Sequence, residues 1–231
     1  METPPPNNKT PNPNDNGGND SYHLTLDELI LAANTAINNA DHAEIAPLLL
    51  KRGYAPADIA AGKTLVDNVQ TLDEKQKKEY SEQYQATETY NKDWNELKLM
   101  YSEHVELARI AFENDLHNYV QLGLQGRRKE SFSGYMQQAK QYYNNALKDQ
   151  AVMDVLSKKG ISKKELEDTL VLIEKVEKEK YAQQKETGEA QQATKVRDAA
   201  HDDLGKWFGE FKRVAIVALS SKPVLAKILG F

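Results

Sequence analysis

The chain has 231 residues, 28% of them charged, a formal net charge of −5 and no cysteine. The missing thiols exclude a disulfide framework, a zinc–thiolate site and a cysteine nucleophile, and they fit a cytoplasmic setting. No basic start followed by an apolar run marks a secretory signal, and no apolar stretch reaches the roughly 18 residues that a bilayer span needs.

Residues 1–20 are proline, asparagine and glycine with almost nothing apolar, so a tail over 1–23 is expected to be disordered. Order is expected from Thr25-Leu26-Asp27-Glu28, a capping box. Leu26, Leu29, Ile30, Ala33 and Ile37 then recur at helical spacing. A second short helix points Ile45, Leu48 and Leu49 inward and stops at Gly53. Pro56 suits the first turn of the next helix, with Ala55 at its cap.

From Ala57 to Phe112 there is no proline, and the only glycine is Gly62. Ile59, Leu65, Val66, Val69 and Leu72 line one side. A polar stretch follows, Asp73 to Glu82, and apolar spacing then returns with Ala86, Tyr90, Trp94, Leu97, Tyr101, Val105, Ala108 and Phe112. A single rod of this length would run about 84 Å. Two antiparallel helices with a tight turn near Ser81 are the expectation, setting Val69 against Trp94 and Ile59 against Val105. Thr71-Leu72-Asp73-Glu74 reads as another capping box and offers an earlier break. A short helix capped by Asn114 and ending on Leu122-Gly123-Leu124 closes the segment.

That pattern is written twice. Gly53–Leu124 lies over Gly160–Phe231 at a constant offset of 107, with 16 identities in 72 pairs. Chance supplies roughly 4 to 5. Ser162 and Glu165 form a capping box at the Ala55 position, Gly188 falls at the Ser81 position, and Ser220-Ser221-Lys222-Pro223 gives a cap and first-turn proline. The expected organisation is a first helical unit over 24–125, a basic linker at 126–130 and a second unit over 131–231. The fold class is all-α: two tandem repeats, each a long helical hairpin with short helices, in an elongated bundle with coiled-coil character. No strand-like alternation occurs. The endings Ala108-Arg109-Ile110-Ala111-Phe112 with Leu122-Gly123-Leu124, and Val214 to Leu219 with Leu229-Gly230-Phe231, resemble those of uncharacterised bacterial all-helical proteins. That resemblance implies the fold and no activity.

The repeats differ in charge. Residues 24–125 carry 9 bases and 17 acids, and residues 126–231 carry 20 bases and 15 acids. This is drift on solvated faces, or it means that the two repeats face each other within one chain or between chains.

No site is predicted. There is no Glu-x-x-His; Asp198-x-x-His201 is the nearest approach and reads as a surface feature. His104 matches Phe211 and so reads as a partly buried ring. Glu103 and Glu210 recur as a potential acid/base or metal pair, with solvated carboxylates the preferred reading. No phosphate loop, dinucleotide fingerprint or serine elbow is present, so catalytic, cofactor and metal residues are all expected to be none. Arg127-Arg128-Lys129 is too small a basic cluster for nucleic acid. Lys206 to Phe231, with Trp207, Phe208, Phe211, Val214, Ile216 and Val217, suits a core helix, with a membrane surface as the alternative. Eight tyrosines, Tyr80, Tyr84, Tyr90, Tyr101, Tyr119, Tyr135, Tyr142 and Tyr143, suit core edges or interfaces. The expected function is non-catalytic: a helical interaction or scaffold protein, binding a protein partner or itself.

Overall fold

The computed structural model describes residues 24–231. The tail over 1–23 lies outside the described residues. Everything regular within them is helical: α1 (Leu26–Asn39), α2 (Ala46–Leu50), α3 (Pro56–Ala111), α4 (Leu116–Gln121), α5 (Phe132–Lys148), α6 (Gln150–Ser157), α7 (Lys163–Ala218) and α8 (Pro223–Ile228). The two 56-residue helices start and stop 107 residues apart, as do α4 and α8.

The caps follow the sequence in part. Thr25 and Glu28 close a capping box on α1. Ser162 and Glu165 do the same on α7, at 3.2 and 3.4 Å. At α3 the reciprocal half alone is present, with the Ala55 N–H donating to Asp58 at 2.8 Å. Two cap assignments are corrected. Asp115, rather than Asn114, accepts the N–H of Asn118 at the start of α4, and Lys222 rather than a serine precedes Pro223 in α8. Gly53 (φ 91°) and Gly160 (φ 86°) end the short helices in the left-handed region. In each case the next residue donates back five positions, Tyr54 to the Leu49 carbonyl and Ile161 to the Leu156 carbonyl, which is the Schellman arrangement. The stop glycine thereby fixes where Tyr54 and Ile161 enter the core.

The hairpin turns expected near Ser81 and Gly188 do not exist: α3 and α7 are uninterrupted. Thr71 caps nothing, and its hydroxyl donates to the Asp67 carbonyl one turn back. The physical reason lies in the polar stretches themselves. They are rich in Glu, Lys and Gln, which favour a helix, and they add pairs such as Lys78–Glu82 at i,i+4. What changes there is burial, not conformation. Along α7 an alternating three–four spacing runs without a break from Leu166 through Thr169, Ile173, Val176, Lys180, Gln183, Thr187, Ala190 and Thr194 to Arg197, His201, Leu204, Phe208, Phe211 and Ala215. The inward stripe continues with polar residues on it.

The chain divides into two compact units that cut across the sequence repeats. A terminal unit holds residues up to Glu74 together with Lys195–Phe231, and a middle unit holds Lys75–Thr194. In the terminal unit the start of α3 and the end of α7 run antiparallel, with Arg197 reaching Asp73 at 3.9 Å and Trp207 lying over Gly62. Its core joins Leu29, Ala36, Ile45, Leu49, Val66 and Val69 of the first repeat to Leu204, Phe208, Phe211, Leu219 and Leu229 of the second. In the middle unit the rest of α3 runs antiparallel to the start of α7, with Gln76 on Thr194 at 3.3 Å and His104 on Glu165 at 3.2 Å. Its core joins Tyr90, Leu97, Tyr101, Val105 and Phe112 to Met136, Tyr142, Tyr143, Leu156, Leu166 and Ile173. Val69 and Trp94 thus belong to different units, as do Ile59 and Val105.

The charge difference between repeats is used inside each unit. The terminal unit pairs 3 bases and 8 acids over 24–74 with 7 bases and 4 acids over 195–231. The middle unit pairs 6 bases and 9 acids over 75–125 with 13 bases and 11 acids over 126–194. Lys175–Asp93, Arg197–Asp73 and Lys222–Glu44 each join a base of the second repeat to an acid of the first.

Two glycines test this arrangement with opposite signs. A Cβ at Gly188 would meet nothing within 4 Å, so Gly188→Ala should stabilise the chain by up to about 1 kcal/mol through helix propensity. A turn at that site would give a loss instead. A Cβ at Gly62 would lie 2.1 Å from the Trp207 ring, so Gly62→Ala should destabilise by about 1–3 kcal/mol. Urea unfolding followed by circular dichroism reads both.

Candidate functional site

Two places in the described residues gather chemistry, one in each unit. The first is a polar network within the core of the middle unit. His104 is 2% exposed. Its Nδ1 lies 2.9 Å from the Tyr143 hydroxyl and its Nε2 lies 3.2 Å from Glu165 Oε1. A carboxylate only accepts, so Nε2 carries the proton and Nδ1 accepts from Tyr143. Glu165 also caps α7, and Tyr142 donates to the His104 carbonyl at 3.2 Å. Burial pushes the phenols of Tyr142 and Tyr143 well above the ordinary value, and that of Tyr135 up to about 12. These tyrosines therefore stay protonated, and Tyr142 and Tyr143 act as donors. Every polar atom of the imidazole is satisfied, and Tyr101, Tyr142 and Tyr143 pack around it with ring centroids 5.0–5.9 Å apart. The arrangement locks the core rather than presenting a base to a substrate.

Nearby, Lys175 pairs with Asp93, holding that carboxylate below its ordinary range. Burial raises the Glu179 carboxyl, and the Asp93 charge adds to it. Glu79, Glu186 and Glu189 bring carboxylate oxygens within 4.8 Å of one another, and Lys185 pairs with Glu189 at 3.0 Å and with Glu186 at 3.3 Å.

The second place is a pocket of about 590 Å³ in the terminal unit, between the end of α1, α2 and the first turns of α3. Ile37, Leu49, Leu50, Tyr54 and Ile59 form most of its wall, and Asn38, Asp41 and Lys63 are its polar groups. Its volume follows from small side chains. Ala40, Ala46 and Ala60 line it, and the second repeat carries Met153 and Glu167 at the Ala46 and Ala60 positions. Met153 is buried. Leu170, packed against the middle core, stands at the Lys63 position.

Of the candidate residues singled out by sequence, His104, Tyr142 and Tyr143 meet in the middle unit together with the capping Glu165, and the candidate acids and basic cluster do not join either place. Glu103 is exposed in the middle unit and Glu210 is exposed in the terminal unit. Asp198 binds Arg197 at 2.5 Å, while His201 lies 3.9 Å from Asp202. The linker is not a loose basic strand. Arg128 lies 4.7 Å over the Tyr101 ring, and the Lys129 N–H donates to Gln138 at 2.8 Å. Arg109 holds the carbonyls of Leu124 and Gly126 at 3.0 and 2.7 Å. Phe208, Phe211, Ala215, Leu219, Leu225 and Leu229 of the C-terminal stretch are core residues of the terminal unit. Tyr90, Tyr101, Tyr135, Tyr142 and Tyr143 are buried, while Tyr84 is exposed. Among the described residues no helix is long and apolar enough to cross a membrane. Comparison with protein-family models, with curated proteins and with solved structures finds no match.

Two substitutions check the middle unit. Tyr143→Phe leaves His104 Nδ1 buried without a donor and should cost about 1–3 kcal/mol in urea unfolding. Glu179 behaves differently. Just above its ordinary 4.5 the folded chain still holds the proton that the unfolded chain has lost, so stability falls as pH rises through that window. Glu179→Gln should raise the unfolding midpoint at pH 7, with the gain shrinking as pH falls towards 4.5. An unchanged or lower midpoint at pH 7 contradicts the assignment.

Proposed function

We propose that this chain is a non-catalytic binding protein and that the pocket of the terminal unit is its binding site. The observation that carries the reading is the pocket itself. Its walls are apolar, its few polar groups sit together with them, and its volume falls in the ~300–1,000 Å³ range of small-ligand sites. Its lining includes no histidine or serine and only one carboxylate, so no acid–base or nucleophile pair faces its interior. The His104 network, the other chemical grouping, is enclosed by the core and fully occupied.

Three of the opposite charges pair inside the units, Lys175–Asp93, Arg197–Asp73 and Lys222–Glu44, which supports a use of the charge asymmetry within one chain. A membrane role for Lys206–Phe231 would require withdrawing Phe208 and Phe211 from the core.

A neutral apolar fluorophore, N-phenyl-1-naphthylamine, tests the site. The full chain should bind it saturably with one equivalent per chain. The Ala40→Leu/Ala46→Met variant, which fills the pocket with larger apolar side chains, should lose that binding while keeping its helical circular dichroism. Absence of saturable binding to the native chain would falsify the reading.

A further inference from the structure

We infer that the pocket takes the alkyl chain of a single-chain amphiphile with an anionic head, of the medium-chain fatty acid class, and that Lys63 holds the head at its mouth. The inference rests on the pocket being the binding site. The walls favour the chain: Ile37, Leu49, Leu50 and Ile59, with the three alanines, offer no side-chain hydrogen bonds, and the polar side chains of the lining are few, Asn38, Asp41, Lys63 and the Tyr54 hydroxyl.

The charges select the head. Pro56, Ile59, Ala60 and Lys63 form one face of α3, so Lys63 continues the pocket wall. Its four-carbon stem suits that wall while its ammonium stays in water. Lys51 and Arg52 follow directly on the lining residue Leu50. Among the described residues, neither Lys51, Arg52 nor Lys63 makes an ion pair. Of the acids in this region, Glu44 pairs with Lys222 at 2.8 Å, and Asp58 accepts the Ala55 N–H while keeping its charge. Asp41 is the one carboxylate among the lining residues, set against Lys63, and Lys51 and Arg52 add two bases beside the lining residue Leu50.

Decanoate, decanol and decyltrimethylammonium share a chain and differ in charge. Their binding to the full chain is measured by titration calorimetry below their micelle-forming concentrations. Decanoate should bind with one equivalent per chain, about tenfold tighter than the cation, with decanol between them. Lys63→Glu should weaken decanoate by about fivefold or more relative to decanol, so that the preference over the cation is lost. Ala40→Leu/Ala46→Met should abolish all binding. Equal affinities, or a preference for the cation, overturn the anionic head and leave the site standing. If the fluorophore binds and none of the three amphiphiles does, the ligand class is wrong and a larger occupant, such as a partner's helix, takes its place. If nothing binds, the site reading fails with it.

Discussion

Neither repeat closes a core of its own. The apolar stripe of α3 is covered by α1 and the end of α7 over its first part, and by α5 and the start of α7 over the rest. Each repeat therefore contributes half of two cores, and the rest of the structure follows from that sharing. The long helices need no turn, because the partner for each stretch comes from the other repeat. Burial of apolar surface, at about 25 cal/mol per Å², rewards this pairing as well as it would a hairpin. The acids of the first repeat and the bases of the second then meet across every shared seam.

Much of this was legible in the sequence. The repeat, its offset, the capping box at Thr25, the stop glycines Gly53 and Gly160 and the inward positions of α3 depend on local spacing, and local spacing is what a sequence displays. The turns expected near Ser81 and Gly188 do not form, because stretches such as Asp73–Glu82, nearly without apolar residues, change the burial and not the backbone. The surer signal was the unbroken three–four spacing of α7 through Lys180, Gln183 and Thr187, combined with the absence of any proline. Helical conformation there costs little in a stretch of Glu, Lys and Gln, whether or not it is buried.

The candidate sites were less visible, for two different reasons. His104, Tyr143 and Glu165 lie on three helices, and nothing in their spacing announces that they meet. A hint existed in the pairing of His104 with Phe211, since a polar ring in a core position requires partners that its counterpart does not. The pocket is harder still, because it is made by what is missing. Only the comparison of Ala46 with the buried Met153, read together with the packing of the two cores, points to a volume left open in one unit and filled in the other.

The shared cores also bind the history of the two repeats together. After an ordinary tandem duplication, one copy can decay or specialise while the other carries on. Here a change in Phe208 is felt by Leu29 and Val66, and a change in Tyr101 by Tyr142 and Tyr143. Neither half can be discarded or replaced singly, and compensating substitutions are expected between repeats rather than within them.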